Sequence, residues 1–284
     1  MQPPIDSLIG DPAVDAVDVC LPTFLHEQSV VKAARAGKHV LCEKPVALSL
    51  EQVDRMIEAV ETAGVAAMVG QVIRFWPEYM RIRELLAAGE LGRPRAVSAL
   101  RLSPPPAWGN WFLDPNLSGG AILDLHIHDL DFVYALLGMP RAVYALGVQS
   151  ATGAWDHINT SLDYGDAHAA VEASFLMPQG FPFQMLFRIL GTQAAAEYRF
   201  RVAGQVGERA VADKELMLYP AGGPAQPLAS SGKDAYVAEI DYFVDCLADQ
   251  RAPTVATLRQ ARDVLSMALA ARQSLETGQV VQLQ

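Results

Sequence analysis

The chain has 284 residues, of which 51% are hydrophobic and 19% charged, and a formal net charge of −10. This length and composition supply a sizeable core in one large or two ordinary domains, the acidity disfavours nucleic acid and anionic membrane surfaces, and no apolar run is long enough to span a bilayer. Cys20, Cys42 and Cys246 have no metal-ligand spacing and Met1–Asp6 has no signal-peptide pattern, so a reduced, cytoplasmic protein is expected.

Residues 15–21 form a short apolar run stopped by Pro22, which reads as a strand. A helix is expected over 24–36, with Val30, Val31, Ala33 and Ala34 inward and Gly37 at its end. The next strand, 38–42, runs straight into Glu43-Lys44-Pro45. A carboxylate and an ammonium thus fall at the carboxyl end of a buried strand, where open α/β sheets bind their ligands. Pro45 lacks an N–H and disfavours helix at Lys44, so the turn is stiff. Ser49-Leu50-Glu51-Gln52 is a capping box; Val53, Met56, Ile57 and Val60 follow at helical spacing to Gly64, and 65–70 reads as a third strand. Short connections make this a right-handed parallel unit, half of a doubly wound nucleotide-binding sheet.

A helix over 78–88 should bury Tyr79, Ile82, Leu85 and Leu86. After Gly92-Arg93-Pro94 the pattern changes: a strand at 95–102, a Pro- and Trp-rich loop at 103–118, and a helix at 120–137 closed by Gly138. Strands are expected at 141–149, 157–164, 168–176, 183–190, 195–202 and 214–219, mostly antiparallel because only turns separate them. The last two helices should bury Tyr236, Val237, Ile240, Phe243, Val244 and Leu247, and Ala261, Val264, Leu265, Ala268 and Leu269.

The helix at 120–137 is apolar nearly all round yet carries Asp124, His126, His128, Asp129 and Asp131. Asp124 and His128 are four apart, hence on one face, and Asp131 continues the stripe. A carboxylate beside an imidazole sets its tautomer and holds its pKa near neutrality, which suits a general acid or base; an internal pair that anchors the helix is the competing explanation. No metal site is expected, since two such ligands lack a Cys or a further His in register. His126 and Asp129 are assigned structural or surface roles.

Several stretches together resemble the Gfo/Idh/MocA family of nicotinamide-dependent sugar and polyol oxidoreductases. They are Leu21-Pro22-Thr23-Phe24-Leu25-His26, Ala36 through Pro45, Arg74-Phe75-Trp76-Pro77, Gly89-Glu90-Leu91-Gly92, Ser118-Gly119-Gly120 through Asp124 with His128 and Asp131, and the tail from Tyr236-Val237-Ala238-Glu239-Ile240 to Gly278. The resemblance implies an α/β fold: an incomplete Rossmann-type parallel sheet in a cofactor domain over 1–94, then an α/β domain over 95–284 with a large, open, mostly antiparallel sheet, its last helices packing back on the first domain. It further implies NAD or NADP as cofactor and a sugar, cyclitol or related polyol as substrate. Lys44, Asp124 and His128 would meet at the nicotinamide, with Asp124 orienting His128 and the base either Lys44 or His128. Pro22, Thr23, His26, Glu43, Lys44 and Pro45 would contact the cofactor; Arg74, Trp108, Asn110 and Trp111 would face the substrate.

The family's Gly-x-Gly-x-x-Gly turn, which holds the pyrophosphate, is absent from these 284 residues. Roughly sixty residues, about two βαβ steps, are expected to be missing before Met1, leaving the strand at 17–21 with a bare apolar edge. Dinucleotide binding should then be weak. A non-catalytic interaction module and a relative that uses the cofactor to cleave glycosides are the alternatives to net oxidation. A homodimer or higher assembly through the open sheet is expected, with the strand at 183–190 supplying an apolar surface.

Overall fold

A computed structural model describes residues 5–106, 110–203 and 211–283. After a short helix α1 (Ile5–Ile9) come β1 (Ala16–Val19), α2 (His26–Arg35), β2 (His39–Glu43), α3 (Leu50–Ala63) and β3 (Ala67–Gly70). The three strands form a parallel sheet in the order β1-β2-β3. Val40 on the central strand is fully buried, as a strand covered on both faces requires. The Ser49 hydroxyl accepts from the Gln52 N–H, the Gln52 side chain accepts from the Ser49 N–H, and Gly64 ends α3 at φ 65°. The expected capping box is therefore present, a device worth about 1 kcal/mol.

The chain continues through α4 (Pro77–Ala87), β4 (Pro94–Leu102), α5 (Pro115–Ser118), a π turn (Ile122–His126) and α6 (Ile127–Leu137). Next come β5 (Ala142–Gln149), β6 (Trp155–Asp163), β7 (His168–Ser174), β8 (Phe183–Gly191), β9 (Ala194–Ala203), β10 (Val211–Pro220) and β11 (Gln226–Pro227), then α7 (Ala235–Ala248), α8 (Leu258–Thr277) and β12 (Val281–Gln282). The second sheet has nine strands in the order β11-β10-β9-β8-β4-β7-β6-β5-β12. Every neighbouring pair is antiparallel except β4 with β7, which the intervening helices allow to run parallel.

One face of this sheet meets α6 and α8. Tyr79, Phe132 and Phe187 stack edge to face or tilted between helix and sheet, with centroids 4.7–5.6 Å apart. The other face is open. On β8 the period-two pattern sends Met185, Phe187 and Ile189 into the core and leaves Gln184, Leu186, Arg188 and Leu190 outward. The strand at 183–190 thus offers less apolar surface than expected of it; three of its six large apolar side chains are core. The open face combines exposed Leu146, Val148, Leu190 and Tyr219 with an ion ladder, Arg188–Glu197–Arg199–Glu215.

Helix α8 packs back onto the first sheet's helices, as Arg262–Asp54 and Arg259–Glu61 ion pairs show. Helix α7 departs from expectation. Tyr236, Val237, Ile240 and Val244 are about half exposed, while Ala235, Glu239, Phe243 and Cys246 face inward. The helix is apolar on two faces, and Phe243 wins the inward position by packing with Leu41, Met68 and Phe75. Glu239 is carried inside with it, 3% exposed, and its Oε1 has no partner.

Burial, reinforced by the charges of Glu43, Asp18 and Asp131, raises the Glu239 carboxyl to about 8. The folded chain therefore keeps a proton that the unfolded chain releases near 4.5. Stability is full below that pH and falls as pH rises towards 8. Glu239→Gln is expected to leave the unfolding midpoint unchanged at pH 4.5 and to stabilise at pH 8 by roughly 1–2 kcal/mol, a few degrees. Equal midpoints for both proteins at pH 8 would contradict this.

Candidate active site

Glu43 and Lys44 stand where β2 ends, and the Lys44–Pro45 peptide is cis. Lys44 Nζ donates to the Asp124 carboxylate (Oδ1, 2.8 Å) and to the Asp124 main-chain carbonyl (2.8 Å), eighty residues away. The backbone before α6 makes this double contact possible. Gly119 (φ 78°) and Gly120 (φ 63°) turn the chain sharply, and a Cβ on Gly119 would lie 2.4 Å from Leu123 Cδ1. The π turn over Ile122–His126 follows at once. Its bonds run to the fifth residue on, so the regular ladder is interrupted where Asp124 must offer two oxygens to an amine.

His128 lines the same cleft, and its Nδ1 has no protein partner. Burial lowers its pKa well below the ordinary imidazole range, and the charges of Lys44 and Arg101 lower it further, so the ring is neutral. Two expectations are corrected. Asp124 spends its carboxylate on Lys44 and makes no hydrogen bond to His128, and the imidazole pKa is not held near neutrality. Asp131 pairs with Arg74 at 2.7 and 2.8 Å.

The cleft has a volume of about 430 Å³. Glu43, Lys44, Gly70, Val72 and Ile73 reach it from the small sheet side, Asp124, Leu125 and His128 from the π turn and α6, and Arg101, Ser103, Phe175, Phe183 and Met185 from the large sheet; Trp76 and Tyr236 also line it. The Glu43 carboxyl, raised chiefly by burial, accepts the Lys44 main-chain N–H at 3.1 Å. It rests over Gly70, where a Cβ would approach Glu43 Oε2 to 3.2 Å. Gly70 and Arg101 are site residues that the sequence reading missed. For Arg101 a signal existed: with Val97 and Ala99 it occupies the inward positions of β4.

Among the described residues, other expected contacts are not in the cleft. Arg74 is 4% exposed and bound to Asp131 and to Gln260 Oε1 (2.7 Å), so it is a structural residue rather than a substrate contact. Trp111 is half-buried against Phe24 and Phe112. Trp108 and the side chain of Asn110 lie outside the described residues. His26 is 1% exposed and bridges the carbonyls of Pro45 (2.9 Å) and Leu21 (2.7 Å), holding the two strand-end turns together rather than facing a ligand. Thr23 and Pro45 are buried, and Pro22 is half-buried beside them. His126, bound to Thr160 at 2.8 Å, and Asp129, bound to Arg101, are both fully buried, so their roles are structural and not on the surface.

Comparisons with known proteins agree with this architecture. Residues 3–71 match the family model described as an oxidoreductase family with an NAD-binding Rossmann fold, and residues 79–197 match a GFO/IDH/MocA C-terminal domain. The chain is 30% identical over 281 residues to D-xylose 1-dehydrogenase (NADP(+)) 2 of Haloferax volcanii, covering 98% of this chain and 83% of that protein. It is 40% identical over 152 residues to 1,5-anhydro-D-fructose reductase of Ensifer adhaerens, covering 52% and 46%. The chain spans less than half the length of several of the curated relatives that it matches. A crystal structure of aldose-aldose oxidoreductase from Caulobacter crescentus, complexed with glycerol, superposes with a TM-score of 0.84 at 26% identity, covering 98% of this chain and 82% of that one. A parallel sheet that delivers Glu43-Lys44, joined through Asp124 to a large open sheet and matched by relatives over almost all of its length, places the chain in the Gfo/Idh/MocA oxidoreductase family.

Proposed function

We propose that the cleft interconverts a secondary hydroxyl and the corresponding carbonyl of a sugar, cyclitol or related polyol with NAD or NADP. The observation that carries this is the Lys44 amine, 2.8 Å from two oxygens of Asp124, facing the same cleft as a neutral His128 with an unserved ring nitrogen. The named activities of the xylose dehydrogenase and of an inositol dehydrogenase that is similar over 97% of this chain support the substrate class.

The residues fit the ring end of such a cofactor: the cleft opens at the end of β2, Glu43 offers a carboxyl, and Gly70 leaves room beside it. The phosphate end has no glycine-rich cradle among these residues. A bound nicotinamide supplies the hydride acceptor or donor. Lys44 stabilises negative charge on the carbinol oxygen. His128, neutral and unprotonated, accepts the hydroxyl proton. Asp124 anchors Lys44. Glu43, with the Pro22-Thr23 turn and Pro45 behind it, would form the cofactor side. Residues 1–94 and 95–284 are accordingly assigned to cofactor and substrate. Three free thiols support a cytoplasmic setting; among the described residues no helix is long and apolar enough to cross a membrane. Leu146, Val148 and Leu190 on the open face support self-association.

Fluorescence titration with NADH and NADPH, followed by reduction of NAD+ or NADP+ over a panel of aldoses and inositols, tests the proposal. Turnover should stay constant as pH falls through the ordinary imidazole range, because the His128 pKa lies well below it. A loss of activity centred near the ordinary imidazole value would contradict His128 as described. Failure to bind either dinucleotide would favour a non-catalytic relative.

A further inference from the structure

Arg101 enters the cleft from the inner face of β4 and has no part in the chemistry above. Its Nε and Nη2 donate to the two carboxylate oxygens of Asp129 at 2.8 and 3.0 Å. Its Nη1 donates to Met185 Sδ, at 2.7 Å, a thioether that is a weak acceptor, and the Tyr79 hydroxyl lies close enough to interact with the same guanidinium. The residue is 4% exposed, yet it lines the cavity that Lys44, Asp124 and His128 share. A desolvated guanidinium N–H left to sulfur would gain from any oxygen brought to it. Asp129, fully buried, is its ion-pair partner and offsets much of the positive charge. What the cleft lacks at this point is therefore a hydrogen-bond acceptor, not an anion. Phe175 and Phe183 beside it offer apolar faces to the C–H side of a ring.

We propose that Arg101 Nη1 is a specificity-determining donor that exchanges Met185 Sδ for a hydroxyl oxygen of a neutral polyol whose reacting carbinol lies between Lys44 and His128. This rests on the oxidoreductase reading and deepens it. It makes Arg101 the residue that selects which hydroxyl arrangement of that substrate class is accepted. Arg101 and His128 line the same cleft.

Tryptophan fluorescence of the full chain, titrated without cofactor, tests this. The neutral probes are myo-inositol and D-xylose, and the anionic probe is D-glucuronate. Replacing the buried pair together, Arg101→Met with Asp129→Leu, avoids stranding a charge. That variant should keep its unfolding midpoint and bind the neutral probes about 10- to 100-fold more weakly. Arg101→Lys, which keeps a cation for Asp129 but withdraws Nη1, should show the same loss and decides the matter if the double variant does not fold. Met185→Leu should bind the neutral probes at least as tightly as the wild type. Unchanged affinity in the folded Arg101 variants would overturn the proposal, as would D-glucuronate binding tenfold tighter than both neutral probes. If binding is lost in Lys44→Met and not in the Arg101 variants, Arg101 has no such role and the oxidoreductase reading stands. If the wild type binds none of the three probes, that reading falls too.

Discussion

If the proposed function holds, Lys44→Met is expected to lower polyol oxidation by about 10³-fold or more and to leave the fold intact. Removing a single well-placed charge donor at a developing oxyanion costs about 10²–10³-fold in documented cases. Lys44 is, in addition, the group that links the two sheets at this point. The amine and its Asp124 partner are largely covered but reach the cleft, with side chains 16% and 15% exposed. Asp124 can therefore turn to water when the amine goes, and the stability cost stays small. The expected signature is a collapse of kcat with the thermal midpoint and dinucleotide affinity nearly unchanged. Turnover within tenfold of the wild type would remove Lys44 from the chemistry.

Arg74→Ala has the opposite signature. Its guanidinium holds Asp131 through two bonds in an environment where both side chains are almost completely buried. Burial already pushes the Asp131 carboxyl up in spite of Arg74, and removing the arginine takes away the charge that opposes that shift. Breaking such a pair costs about 3–5 kcal/mol, and at roughly 2–4 °C per kcal/mol the midpoint should fall by about 10 °C. Gln260, which caps α8 and accepts from Arg74 Nη1, would be loosened as well. Arg74→Met combined with Asp131→Leu should recover most of the loss, because the stranded charge is then gone. A raised KM with an unchanged midpoint in Arg74→Ala would instead support a substrate role.

The contrast between Arg74 and Arg101 shows what the chain reveals of itself before folding. Strand periodicity, the capping box at Ser49 and the charged turn after β2 are local patterns, and they appear where expected because each is decided by neighbours in sequence. Lys44 and Asp124 were also legible, as unusual polar groups at a strand end and in an apolar helix. Which arginine faces the cleft was not, because it depends on partners 28 and 57 residues away. The alternation of β4 placed Arg101 on the inner face, but only the arrival of Asp129 and Met185 turned it towards the cavity. The π turn was hidden for a related reason. Gly119 and Gly120 mark a sharp bend, yet the winding after it follows from fitting Asp124 to Lys44 across the cleft. Helix α7 was misread because hydrophobicity alone cannot choose between two apolar faces; Phe243 against Leu41 and Phe75 made the choice and took Glu239 inside.

The most direct measurement follows deuterium from the carbinol carbon of a labelled polyol, by nuclear magnetic resonance, with the full chain supplied with NAD+ or NADP+. The account predicts that the label moves to C4 of the reduced nicotinamide in the wild type, with none released to water and none transferred by Lys44→Met. Label released into water, or a polyol consumed with its deuterium in place, would contradict it.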